Sequence, residues 1–273
     1  MKDLLLITSI FAISFICLCL IKEFDHKENK PTFFHEETKT LSPTTNILDL
    51  INENRSIIKS VKSNYFLVHN KIGILNINSS GFLAYEKDKN FRLIVNSVFG
   101  KEIDIGSNDE HFWYWAKRST EKSLFFSSYK NLSNTRLKDP VNPLVLKSIL
   151  FIDVLPTKAT QVYETTDNFF IEWPTKSIDE KENMSCCIKI NKKTHQPSNM
   201  VFKNSKNKTI TEATVLNSIK YKDTYLAQKI KIIWPDENIE MTWELKDVEI
   251  NSQINSSYWK MPNHDHKVDI GIN

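Results

Sequence analysis

The chain has 273 residues, of which 40% are hydrophobic and 25% charged, with a formal net charge of +3. Such values exclude a disordered or collagen-like chain, and the balanced charge excludes a dedicated nucleic-acid binder, which carries a strong basic excess. There are only 5 glycines, which disfavours folds built on glycine-rich phosphate loops, whereas aromatic residues reach 11%.

Leu4 to Ile21 is apolar apart from Thr8, Ser9 and Ser14, with Lys2 before it and Lys22 after it. A soluble helix keeps a polar face, and this run has none, so residues 1–21 read as a signal peptide or membrane anchor. Cys17 and Cys19 stand at the end of the apolar run, where a lipidated cysteine would sit. Lipidation, an uncleaved anchor and atypical cleavage all remain open, and each places the rest of the chain outside the cytoplasm. Residues 22–45 are polar, contain Pro31 and Pro43, and read as a tether. Residues 46–273 read as one domain.

In that domain, Asn46 is a candidate helix cap. Ile47, Leu48, Leu50, Ile51, Ile57, Ile58 and Val61 recur at helical spacing, which predicts a helix over residues 46–61. Strand-like segments follow at 65–77, 81–86, 91–96, 102–105, 112–117 and 124–128. Turn residues separate them at Asn78–Gly81, Asp88–Asn90 and Gly106–Asp109. No helix-length segment intervenes, so antiparallel connections are expected. Pro143 then opens a short, very apolar helix, predicted over residues 143–151. Strands resume at 168–173, 185–190, 199–203, 210–221, 225–234 and 239–250. In the last, Ile239, Met241, Trp243 and Leu245 alternate with polar residues, and the apolar phase then shifts to Val248 and Ile250, which predicts a bulge.

The fold class is therefore mainly β (α+β): a curled antiparallel sheet of about 11–12 strands forming an incomplete barrel. An open sheet of that size must curl, and the two helices are available as a lid over its apolar concave face. An apolar cavity between sheet and lid would take a lipid-like ligand.

Three short segments carry a family resemblance. Asp104 to Trp115 reads D-I-G-S-N-D-E-H-F-W-Y-W, a strand, a polar turn and an aromatic strand. Gly81 to Arg92 forms a hairpin ending in Phe91-Arg92. Tyr258-Trp259-Lys260-Met261-Pro262 precedes Val268-Asp269. In this order they resemble the LolA/LolB-like lipoprotein-localisation superfamily. Lys117-Arg118 and the run Leu132 to Leu144 are similar to a subgroup of uncharacterised bacterial lipoproteins with that fold. The resemblance implies a non-enzymatic protein that binds acyl chains or lipoproteins, without a cofactor, and a basic lid-steadying residue at Lys87. The carriers are soluble, whereas this chain has an N-terminal anchor, which sets it nearer a receptor or sensor than a shuttle.

Candidate ligand-binding residues are Phe91, Leu93, Trp113, Trp115, Leu144, Leu146, Ile149, Leu150 and Trp243. Trp113 and Trp115 share one strand face, as a ligand-facing wall or as ordinary packing. The helix at 143–151 is either a movable lid or a fixed plug. Lys117, Arg118, Arg136 and Lys138 bracket it, and Arg136 is the candidate polar contact to lipid phosphate or an acidic partner. Adjacent Cys186 and Cys187 point to opposite strand faces, one expected buried and one exposed, and no disulfide framework is expected. His264 and His266 offer two ligands, too few for a structural metal site. No nucleophile-elbow pattern is present. The alternative function is an envelope sensor or scaffold that binds a protein, its cavity filled by its own side chains.

Overall fold

The computed structural model describes residues 39–41, 45–72, 75–87, 90–117, 119, 121–134, 143–157, 160–176, 183–236 and 238–271. The proposed anchor with Cys17 and Cys19, most of the tether, Arg118, Arg136 and Lys138 lie outside these residues.

Extended segments rich in β-branched and aromatic residues pair into one 15-stranded sheet. In chain order the strands are β1 (Lys39–Leu41), β2 (Ser60–Ile72), β3 (Leu75–Glu86), β4 (Asn90–Ser97), β5 (Gly100–Ser107), β6 (His111–Ala116), β7 (Leu124–Ser128), β8 (Gln161–Glu164), β9 (Asn168–Lys176), β10 (Asn183–Asn191), β11 (Pro197–Asn204), β12 (Thr209–Tyr221), β13 (Thr224–Trp234), β14 (Ile239–Ile250) and β15 (Lys267–Asp269). The described residues also hold two α-helices, α1 (Thr45–Ser56) and α2 (Pro143–Ser148), and two short 3-10 turns at Tyr129–Asn134 and Ser256–Trp259. The spatial order is β1-β8-β9-β10-β11-β12-β13-β14-β2-β3-β4-β5-β6-β7-β15. Neighbours are antiparallel except β15, which lies parallel to β7. The two ends do not pair, so the sheet is an open one.

Each expected strand has a counterpart, except that the one expected over 65–77 is divided: it ends at Ile72, and Leu75 to Ile77 open the next strand. Three more, β1, β8 and β15, are only three or four residues long and sit at or next to the sheet edges. β1 falls within the stretch that reads as tether, where Lys39, Thr40 and Leu41 pair with Glu164, Tyr163 and Val162. Two local expectations fail. Helix α1 stops at Ser56 rather than residue 61, because Ser60 and Val61 already pair with Glu86 and Tyr85 in the sheet. Asn78 to Gly81 is not a turn but lies inside β3; the hairpin reverses between Ile72 and Leu75, which are directly paired. The polar run reads as a turn because its place in the ladder is set by pairing with the partner strand, which leaves no local mark. Val248 and Ile250 do pack on the core, as the phase shift requires, but β14 keeps one register along β2 and the bulge lies in the neighbouring ladder. Asp247 takes φ 46, and the β2–β3 ladder slips between Ser63 and Phe66, next to it in the sheet.

Curvature follows from the core. Tyr85 on β3 and Cys186 on β10 are six strand spacings apart in the sheet order. On a flat sheet with ~4.8 Å spacing they would be about 29 Å apart. Yet both belong to one core with Leu48 and Ile51 of α1. The sheet therefore wraps around α1, and the helix-bearing face is its concave face. That face holds the main core. Leu48, Ile51 and Ile58 from the α1 region and Val145, Leu146, Ile149 and Leu150 from the α2 region pack with Phe66, Leu83, Leu93, Ile188, Ile230, Trp243 and Leu245 of the sheet.

Candidate functional site

Strand parity assigns each candidate residue to a face. Phe91 and Leu93 pair with Ser107 and Ile105, which pair with Phe112 and Tyr114. Paired residues share a face, so Phe91, Leu93, Ile105, Phe112 and Tyr114 form one strip of the concave floor. Trp243 pairs with Val68 and Ile230 on the same face. Leu146, Ile149 and Leu150 are at most 1% exposed and belong to the same core. These six candidates, Phe91, Leu93, Leu146, Ile149, Leu150 and Trp243, are thus brought together under the helices. Leu144 lies within α2, and its side chain is outside the described residues.

Trp113 and Trp115 do not join them. They pair with Gly106 and Asp104, whose side of β5 is the convex one. Trp113 is nevertheless fully buried there. Its ring lies so close to Gly106 that a Cβ at that position would meet it at 2.3 Å. The guanidinium of Arg92 lies over the ring at 5.2 Å. Arg92 also pairs with Asp104 at 2.7 Å and donates to the carbonyl of Lys260 at 2.9 Å. Asn108 donates to the carbonyl of Trp259 at 2.9 Å. The chain after β14 is thus strapped across the convex face, where Ile254 and Trp259 form a second small core with Ala84 and Phe82. The aromatic motif packs that strap, so the expectation of a ligand-facing tryptophan wall fails on parity: both faces of β6 are buried, and the tryptophans take the convex one.

The α1–α2 roof is pinned by polar contacts. Asn52 donates to the carbonyl of Leu155 at 2.9 Å and accepts from the Leu155 N–H at 2.8 Å. Arg55 Nε donates to the carbonyl of Asp153 at 2.5 Å. The Tyr85 hydroxyl donates to Asp153 Oδ1 at 2.7 Å, and Lys147 Nζ lies 3.7 Å from the same oxygen. Burial lowers the Arg55 pKa to about 10, partly offset by Asp153. The turn that leads from α2 to these contacts passes through Phe151 at φ 61, a left-handed conformation that side chains rarely adopt. This polar hub escapes a sequence reading built on apolar residues. Its one local signal is Arg55, which falls on the same helical stripe as Leu48, Ile51 and Ile58: a charge where the periodicity demands an apolar residue.

Lys87, the residue that the resemblance makes lid-steadying, follows the end of β3 and donates its backbone N–H to the Lys59 carbonyl at 2.8 Å. The basic residues seated at the roof are Arg55 and Lys147. Lys117 pairs with Glu102 at 3.7 Å and donates to the Phe99 carbonyl at 2.8 Å. Cys186 and Cys187 are both buried free thiols, one per face, so the expectation of one exposed thiol does not hold. Burial raises the Cys186 pKa well above its ordinary value and pushes that of Cys187 up to about 12. His264 packs beside Trp115, with ring centroids 5.8 Å apart. Among the described residues no three His, Cys, Asp or Glu side chains cluster as metal ligands.

No family model matches the chain, and no curated protein matches it. Solved structures do. A DUF1329 family protein from Desulfovibrio piger superposes with a TM-score of 0.58 at 10% identity, covering 81% of this chain and 98% of its own. A putative outer membrane lipoprotein-sorting protein domain from Vibrio parahaemolyticus gives 0.56 at 9% identity, covering 78% and 95%. A LolA superfamily protein from Nitrosomonas europaea gives 0.55 at 10% identity, covering 80% and 97%. At such identities the likeness is one of fold, and it is the fold that the sequence motifs resemble.

Proposed function

We propose that this is a non-enzymatic protein of the bacterial cell envelope, held at a membrane by its N-terminal segment. In this reading it binds lipid acyl chains or lipoproteins between the concave sheet and the α1–α2 roof. The observation that carries the reading is a continuous apolar floor roofed by two helices, in a fold shared with LolA superfamily and lipoprotein-sorting proteins. Phe91, Leu93 and Trp243 would form the floor of the site, and Leu144, Leu146, Ile149 and Leu150 its roof. Each buried CH₂ contributes about 0.8 kcal/mol, so an acyl chain needs few polar contacts. Opening the roof breaks the two Asn52–Leu155 hydrogen bonds, each worth about 1 kcal/mol net, and the bonds of Tyr85 and Arg55 to Asp153, which involve a charged group and are worth about 1.5–3 kcal/mol each. The sum is within what one bound chain returns.

Native mass spectrometry of the full-length chain tests this. A co-purifying or added fatty acid retained by the protein supports the reading; a protein that carries none and takes up none overturns it. The contribution of Cys17 and Cys19 is tested by labelling with a radioactive fatty acid, which lipidation predicts is lost in Cys17→Ala or Cys19→Ala.

A second reading, a scaffold that binds a protein partner, is favoured by one observation. Phe66, Tyr85, Trp234 and Trp243 are each at most 1% exposed, so the concave face is filled by the protein's own side chains. A ligand-free result in the experiment above turns the assignment to this scaffold.

A further inference from the structure

We propose that Thr211 and Trp234 form a neutral polar subsite in the concave floor, which takes the carbonyl oxygen of an esterified acyl chain. This rests on the acyl-chain reading above and names the chemical form in which the chain is bound.

The register places the two side chains together. β12 and β13 pair Glu212 with Ile233 and Ala213 with Ile232, so the same ladder sets Thr211 opposite Trp234. Thr211 also pairs with Phe202 of β11, and Trp234 with Ile239 of β14. Phe202, Ala213, Ile232, Trp234 and Ile239 all belong to the main core. Paired residues share a face, so Thr211 lies with them on the concave side, where the acyl chain is placed.

Both polar atoms are buried without a partner. Thr211 and Trp234 are each 0% exposed, and neither Thr211 Oγ1 nor Trp234 Nε1 has a hydrogen-bond partner among the described residues. Another tryptophan of the floor, Trp243, is satisfied: its indole N–H donates to Met241 Sδ at 2.7 Å. Folded proteins leave few buried polar groups unpaired, because each forfeits the hydrogen bonds it made in water. Valine and phenylalanine would line the same floor without that cost. The hydroxyl and the indole N–H therefore call for a partner that the floor itself does not supply.

The donors and their surroundings fix the chemistry of that partner. An indole N–H only donates, whereas a hydroxyl can donate and accept. A carbonyl oxygen, with two lone pairs and no proton, answers both. The cross-strand neighbours Phe202, Ala213, Ile232 and Ile239 are apolar, with no cation among them. A carboxylate or phosphate buried there would be an unpaired charge, which costs far more than a neutral group. An ester carbonyl carries no charge. Water is the poorer fit: a buried water normally has about three polar partners, and this part of the floor offers two. From the pair the apolar floor continues along β13 through Ile232 and Ile230, and Ile230 pairs with Trp243. A carbonyl held at Thr211 and Trp234 thus leaves its chain on an apolar track.

The test uses the full-length chain in a non-ionic maltoside, with radiolabelled probes retained through gel filtration. The probes are methyl oleate, heptadecene and oleate. A neutral hydrogen bond is worth roughly 5-fold in affinity, so two should make methyl oleate bind roughly 10- to 30-fold more tightly than heptadecene. The carbonyl stretch of bound methyl oleate, read by infrared spectroscopy, should move to lower frequency. Thr211→Val and Trp234→Phe should each lose part of the ester preference and of the frequency shift, and the double variant nearly all of both. Without ligand, Thr211→Val should be at least as stable to urea as the parent, because it keeps the shape and removes an orphaned hydroxyl; a purely structural hydroxyl predicts a loss. Variants that keep the full preference overturn the assignment to these two residues. Equal binding of ester and hydrocarbon by the unaltered chain overturns the subsite while leaving acyl binding intact. Tighter binding of oleate than of its ester assigns a charged head and overturns the neutral subsite. Failure of all three probes removes the acyl-chain reading and this one with it. If the double variant does not fold, the ester–hydrocarbon comparison and the frequency shift on the unaltered chain and on Thr211→Val still decide.

Discussion

Replacing Asp104 with Asn probes what holds the convex strap. Asp104 Oδ2 lies 2.7 Å from Arg92 Nη2, with the two side chains 1% and 8% exposed. Lys101, 42% exposed, reaches the same oxygen at 2.9 Å. Asparagine keeps the volume and removes the charge, so the loss is electrostatic. The Lys101 contact is solvated and contributes at most about 1 kcal/mol. The Arg92 contact is not: removing one partner of a buried pair typically costs about 3–5 kcal/mol, because the other charge stays buried. Arg92 would still have the Lys260 carbonyl, the Tyr258 carbonyl at 3.4 Å and the Trp113 face. These soften the penalty, so we expect about 3 kcal/mol. Replacing both partners by apolar residues, Arg92→Met with Asp104→Leu, should cost clearly less than the sum of the single changes, since no charge is then left stranded. Urea unfolding followed by tryptophan fluorescence gives the stabilities of the parent, Asp104→Asn, the two single changes of the cycle and the double change. The loss should also persist in high salt, which screens exposed pairs and spares buried ones. An Asp104→Asn chain within 1 kcal/mol of the parent, or strictly additive changes, would falsify the claim that this pair is the anchor of the strap.

Other consequences can be measured on the same chain. Gly106→Ala places a methyl 2.3 Å from a Trp113 ring that is fully buried and cannot withdraw; overpacking of this kind costs about 1–3 kcal/mol, and a thermal midpoint equal to the parent's would contradict it. With Cys17 and Cys19 replaced by Ser, the native protein should be inert to a thiol reagent at pH 8. Cys187, raised from 9.0 to about 12, has about a thousandfold less thiolate than an ordinary cysteine, and Cys186 is raised as well; rapid labelling before unfolding would show the thiols to be accessible. Glu244 has its pKa lowered first by its hydrogen bond with Lys246 and then by Lys229, 3.3 Å away. A lowered folded-state pKa gives stability that is present above the ordinary carboxylate range and lost as pH falls through the lowered value. Glu244→Gln should therefore be less stable than the parent at pH 7, with the gap closing in acid; a gap that widens in acid reverses the sign of the argument.

Much of the fold is legible in the sequence, and the reasons are local. Alternation in Ile239 to Leu245 and in Lys229 to Ile232 survives in the structure as one wet and one covered face. The strands that escape notice, β1, β8 and β15, have three or four residues each, too few for a period to show. They exist because an edge strand was there to receive them. The failures share a cause. Trp113 and Trp115 are correctly read as sharing a face, but β6 is buried on both sides, so its pattern does not say which side faces the helices. Cys187 is hidden for the same reason. Helix α1 loses its predicted end to pairing with β3, a contact made far along the chain. The site divides likewise. Its apolar lining can be read from periodicity, whereas the hub around Asp153 is assembled from residues 52, 55, 85, 147, 153 and 155, and no spacing rule joins them.

The order of the strands also shapes how the protein reaches its native state. β2 to β7 form one run of neighbours and β8 to β14 another, and within each run nearly every partner is adjacent in sequence. The two runs meet along a single long seam, where β14 pairs with β2 from Glu240↔Lys71 to Ile250↔Val61. That seam closes a loop of about 170 to 190 residues, for which the entropy cost falls in one step. Each meander can therefore gain structure early from local pairs, while cooperativity waits on the seam. A change on the seam, at Phe66 or Leu245, should slow folding more than an equally destabilising change within either meander. During synthesis, half of the sheet must wait with an open β2 edge until the residues after 239 have emerged.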